Sequence, residues 1–99
     1  MAEFNRTSKG LAFSEEIKNE VWNKAKMVDS NNKAIWREDI CGMWIRYLDY
    51  GNRQSEYGWE VDHIKPLAKK GDDDISNLQA LHWQTNEEKG DKYPWKCGK

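Results

Sequence analysis

Apolar positions along the chain follow two rhythms, and the change between them marks out the elements. From Ser14 onward, Ile17, Val21, Trp22 and Ala25 recur at helical spacing. Ser14 is suited to cap the N-terminus, and Glu15 and Glu16 sit at the positive end of the helix dipole. This pattern predicts an amphipathic helix of about three turns. Asp29 to Asn32 then read as a loop. Residues 35–41 are ambiguous, whereas Met43 to Tyr47 is rich in strand formers and predicts a strand at about 43–48. Turn chemistry at Tyr50-Gly51-Asn52-Arg53 leads into a second strand, YGWEVDHI, from Tyr57. A loop from Lys65 to Ser76 carries Pro66 and Gly71. A short apolar piece, Leu78 to Leu81, follows it, and then a polar helix from about Trp83 to Lys92, stopped before Pro94.

Within the second strand the alternation puts Val61 and His63 on one face and Asp62 and Ile64 on the other. Where the strand ends and the chain turns, Asp62 and His63 can converge on one point. The last helix sets His82, Asn86 and Lys89 at i, i+4 and i+7, which is one face. A surface helix ordinarily shows apolar residues in such a stripe. Here it carries a potential metal ligand, an amide and a cation, so the face is expected to belong to a site.

Composition narrows the setting. The chain has 99 residues, enough for one domain, read as residues 13–99 behind a flexible N-terminal tail of residues 1–12. Six tryptophans are many for this length, and most are expected in the core. The two cysteines, Cys41 and Cys97, lie far apart, and Met1 to Gly10 lacks an apolar leader core, so thiols in a cytoplasmic setting are expected. No apolar run approaches the ~20 residues that cross a bilayer. A net charge of −1 is not the footprint of bulk electrostatic binding to nucleic acid, so a polyanionic ligand would need a bound cation to supply positive charge.

The run VDHIKPLAKKGDDDISNLQALHWQTNEEKGDK resembles the core of the HNH endonuclease family. The likeness extends from about Trp59 to Lys92 and rests on Asp62, His63, Pro66, Gly71, Asn77, Leu78, Gln79, Leu81, Asn86 and Lys89 in order. It implies an α+β fold: a small ββα-metal core at about 57–92, here with an N-terminal amphipathic helix and an additional β-hairpin. By the same resemblance, His63 is the general base, and Asp62 and Asn86 are the ligands of one divalent cation. Asn77 pins the loop that orients the imidazole, and Lys89 contacts phosphate. Oxygen ligands of this kind favour Mg²⁺ or Mn²⁺. Many members carry His where this chain has Asn86, which makes it an H-N-N variant.

Many family members also hold a structural zinc with two Cys-x-x-Cys pairs. The corresponding positions here are Cys41 and Trp44, then His82 and Thr85, so a closed four-ligand zinc site is not expected. Trp44 and Trp83 are candidates to replace it by packing, and a remnant built from Cys41, His82 and Cys97 is a lesser alternative. His82 itself is expected to contribute a hydrogen bond or to approach the metal. The implied activity is metal-dependent hydrolysis of phosphodiester bonds in double-stranded DNA, by a monomer that nicks one strand. The alternative is a nucleic-acid-binding module that keeps the fold without the chemistry.

Overall fold

The computed structural model describes residues 4–29 and 31–98. Helix α1 spans Glu15–Lys24, and the Ser14 side chain accepts from the Ile17 N–H at its start, as the sequence predicts. Three short strands follow: β1 (Lys26–Met27), β2 (Trp36–Glu38) and β3 (Trp44–Arg46). They form an antiparallel sheet in the order β1-β2-β3: β3 falls within the strand expected at 43–48, and its partner β2 comes from residues 35–41, which the sequence left ambiguous. Strand β4 (Trp59–His63) pairs antiparallel with β5 (Leu78–His82), and β5 runs directly into helix α2 (Trp83–Lys89). This β4-β5-α2 succession is a ββα unit. The predicted last helix is therefore shorter than expected, because Gly90, at φ +54°, closes it.

Register explains which side chains reach which layer. His63 stands opposite Leu78, Val61 opposite Ala80, and Trp59 opposite His82, while Asp62 faces Gln79 and Glu60 faces Leu81. Directly opposed residues share a face. Trp59, Val61, Leu78 and Ala80 thus enter the core with Phe13, Val21, Trp22 and Ile45, beneath α1. Glu60, Asp62 and Gln79 lie on the other face, over which α2 packs. All five residues of β4 are buried, including its two acids.

Three expectations change. Residues 4–12, expected as a flexible tail, are bound to the body of the fold. Asn5 Oδ1 accepts from the Val61 N–H and the Tyr50 hydroxyl at 2.9 Å each, capping the outer edge of β4. Of the tryptophans, only Trp22 and Trp59 are fully buried, and Trp44 is 38 % exposed, meeting Trp36 edge-to-face at the surface. Cys41 and Cys97 are joined in a disulfide, so the thiol argument for a cytoplasmic setting falls. Sequence separation concealed the pair: the C-terminal segment turns back behind α2 and meets the β2-β3 turn. Among the described residues no helix is long and apolar enough to cross a membrane.

Candidate active site

The end of β4, the loop after it and α2 enclose a cavity of about 210 Å³. Asp62, His63, Asn86 and Pro66 line it, together with Phe4 and Asn5 from the N-terminal segment. The three side chains singled out by the sequence, at 62, 63 and 86, are therefore brought to one place although they project from different faces and elements.

His63 is 8 % exposed and packs beside Phe13. Its Nε2 lies 2.8 Å from Asp73 Oδ1. A carboxylate only accepts, so Nε2 is the donor, and in the neutral form of the ring Nδ1 is the acceptor. Asp73 is fixed in turn by the Ser8 hydroxyl at 2.7 Å and the Ser8 N–H at 3.1 Å. Burial alone would raise the Asp73 carboxyl, but the bonds from His63 and Ser8 outweigh it and hold it below the usual carboxylate value.

Asn77 ties the loop closed. Its Oδ1 accepts from the Lys65 N–H at 2.8 Å, and its Nδ2 donates to the carbonyls of Asp72, at 2.8 Å, and Lys65, at 3.1 Å. The backbone packs so tightly there that a Cβ on Gly71 would stand 1.7 Å from the Lys65 oxygen, so only glycine fits.

Asp62, 8 % exposed, accepts from Gln79 Nε2 at 2.9 Å and lies 3.3 Å from Lys89 Nζ. Burial pushes its carboxyl above the ordinary value, and the Gln79 and Lys89 contacts only partly offset this. Lys89 is 2 % exposed and donates inward, to Asp62 and to the His63 carbonyl at 3.0 Å. It is the counter-ion of a buried carboxylate, and it ties α2 to the end of β4.

Asn86 is 1 % exposed. Its Nδ2 donates to Glu60 Oε1 at 2.8 Å, whereas its Oδ1 is buried with no hydrogen-bond partner. An orphaned buried acceptor costs about 1–3 kcal/mol and calls for an occupant. Glu60 is gripped by Arg53 through Nε at 2.6 Å and Nη2 at 2.9 Å. Among the described residues no three His, Cys, Asp or Glu side chains gather into a metal cluster. The buried hard donors of the lining are the Asp62 carboxylate and the Asn86 amide oxygen, with the exposed Asp91 at the rim and the Asn5 oxygen already engaged by Val61 and Tyr50, and so small a set suits a cation that keeps most of its water.

His82 does not approach this cavity. It is 1 % exposed, its Nδ1 accepts from the Gln84 N–H at 3.0 Å, and its Nε2 meets the Glu56 carbonyl at 2.7 Å. Both ring nitrogens are thus spent on capping α2 and anchoring the loop before β4. With Cys41 and Cys97 oxidised together, the remnant zinc alternative has no free thiol.

Sequence reasoning missed Glu60, Asp73, Ser8 and Asn5. Glu60 had a legible signal, since it shares the Asp62 face of a strand that α2 must cover. Asp73 is one of three successive aspartates, and nothing local distinguishes it from Asp72 or Asp74.

Residues 49–92 match the family model described as HNH endonuclease. No curated protein and no solved structure is significantly similar to the chain. The matched segment contains β4, β5, α2 and the loop pinned by Asn77, and so holds every cavity-lining side chain except those of the N-terminal segment. It is through this ββα unit, 44 of the 99 residues, that the chain is similar to the HNH endonuclease family.

Proposed function

We propose that the protein is a divalent-cation-dependent endonuclease that hydrolyses phosphodiester bonds of double-stranded DNA. The observation that supports this reading is the buried, unpartnered Oδ1 of Asn86, a residue that lines the same cavity as Asp62 and His63. Asp62 and Asn86 would hold the cation, and Mg²⁺ or Mn²⁺ fits their hard oxygen donors. When bound, such an ion supplies Lewis-acid stabilisation of charge on the phosphoryl and leaving oxygens.

The chain's own residues account for the rest. His63, with Nε2 committed to Asp73, presents Nδ1 as the acceptor for a proton from the attacking water. Asn77 holds the loop that carries Asp73, and Lys89 balances the Asp62 charge before any cation arrives. One chain contains one such constellation, so a monomer is expected to nick one strand of a duplex.

A second reading is favoured by one contact: Lys89 already gives Asp62 a counter-ion, as it would in a binding module without chemistry. A supercoiled plasmid assay decides between them. The parent should convert supercoiled DNA to open circles in Mg²⁺ or Mn²⁺ and stop in a chelator. His63→Ala should lose about 10²–10⁴-fold in rate. DNA binding with no nicking in either metal would replace the nuclease reading with the module.

A further inference from the structure

We propose that Glu60 is a positioning residue that sets which way round the Asn86 amide lies, turning its carbonyl oxygen toward a divalent cation. This rests on the cation reading given above and extends it to a residue outside the expected ligand set.

The two ends of a side-chain amide are nearly equal in size, so packing alone does not choose between them. What lies at each end decides. At one end Asn86 meets Glu60 Oε1 at 2.8 Å, and a carboxylate offers acceptors only. The nitrogen must therefore face Glu60, which sends the oxygen the other way. Among the described residues that oxygen is the one buried side-chain nitrogen or oxygen atom with no hydrogen-bond partner. The arrangement is asymmetric by construction: a strong acceptor on one side and an unmet acceptor on the other.

Glu60 can impose this choice because it is itself immobilised. It is 4 % exposed, and Arg53 grips both its oxygens in a fork. The Arg53 guanidinium lies 4.6 Å from the Phe4 ring centre and 5.8 Å from that of Trp83, so its plane is held as well. Arg53 also neutralises Glu60, as Lys89 neutralises Asp62. Without those two cations a pair of buried carboxylates two residues apart on one strand face would repel each other. The chain thus keeps one acid for orientation and leaves the other for the ion.

The test is Mn²⁺ binding to the full chain, followed by the electron paramagnetic resonance of free Mn²⁺, with plasmid nicking recorded in parallel. Glu60→Gln retains shape but offers a donor as well as an acceptor, so the Asn86 amide loses its fixed sense. Mn²⁺ affinity should fall about 10–100-fold. The double variant Glu60→Gln with Asn86→Asp should recover it, because a carboxylate presents an oxygen to the cavity in either orientation while accepting from Gln. Unchanged affinity in Glu60→Gln, as a purely structural role would give, overturns the proposal. So does a double variant that stays as weak as the single one. A parent without measurable Mn²⁺ affinity overturns the cation reading itself and this proposal with it. One measurement needs no variant: in the parent's NMR spectrum, Mg²⁺ should shift the Asn86 side-chain carbonyl carbon while its NH₂ protons remain slow to exchange. Averaged, rapidly exchanging NH₂ protons would refute a fixed amide.

Discussion

Asp73 Oδ1 meets His63 Nε2 at 2.8 Å, and Ser8, 65 residues away in sequence, closes on the far oxygen of the same carboxylate at 2.7 Å. The ring that would take a proton from water is thus oriented by a loop acid, and that acid by the N-terminal segment. Replacing Asp73 with Ala should lower the nicking rate by about 10–100-fold, a part of the 10²–10⁴-fold attributed to the base. Mn²⁺ affinity should stay near that of the parent, because neither expected ligand is touched. Ser8→Ala should act in the same direction and more weakly.

Lys89 is buried against Asp62, and the two readings of this lysine differ in what its loss would do. As a counter-ion, Lys89→Met leaves a buried carboxylate without its partner and should destabilise the fold by about 3–5 kcal/mol. Mn²⁺ should then raise the melting temperature of the variant more than that of the parent, because the ion restores the missing positive charge. As a phosphate contact, the same change would instead reduce the salt dependence of DNA binding by about one unit of slope. Thermal melts with and without Mn²⁺ distinguish them.

Acid stability should report on Asp49. This buried carboxylate accepts from Arg46 Nε and Nη2 at 3.1 Å each and from the Ser55 hydroxyl at 2.6 Å. Burial alone would raise it, but Ser55 and then Arg46 outweigh burial and bring it below its ordinary value. A carboxylate lowered on folding contributes fully above its unfolded value of about 3.9, and the contribution is lost as pH falls through the folded value. The melting temperature of Asp49→Asn should therefore lie below the parent's by a constant amount from about pH 8 to 5 and approach it below about pH 4. A gap that widens on acidification would contradict the sign.

The Cys41–Cys97 disulfide closes a loop across a separation of 56 residues. By the loop-entropy relation this stabilises the fold by about 4 kcal/mol. Cys97→Ser, or a reductant, should lower the melting temperature accordingly, and mass spectrometry with and without a thiol-alkylating reagent should find no free thiol in the oxidised chain.

Local chemistry made the scaffold readable. Ser14 announced its helix and the alternation through Trp59 to His63 announced the strand that holds the site, whereas Leu78 to Leu81 read locally only as a short apolar piece and was marked as its partner by the family resemblance. The misread residues share a physical cause: their roles depend on partners remote in sequence. Lys89 looks like any solvated helix lysine until Asp62, 27 residues earlier, is known to lie beneath it. Glu60 looks like a surface acid until Arg53 and Asn86 enclose it. Residues 1–12 contain little to bury, so composition suggested a loose segment. What holds residues 4–12 is hydrogen bonding by Asn5 and Ser8, which hydropathy does not register.

The cross-link between Cys41 and Cys97 lies beside Thr85, one of the positions that the resemblance aligns with the zinc-binding cysteine pairs. Architecture and chemistry consequently answer to different reagents. Withdrawing divalent ions should silence the cavity while the domain keeps its shape, and adding a thiol should loosen the domain without competing for the ions. Loss of nicking on chelation, with the melting temperature unchanged, would then belong to the reaction and not to the fold.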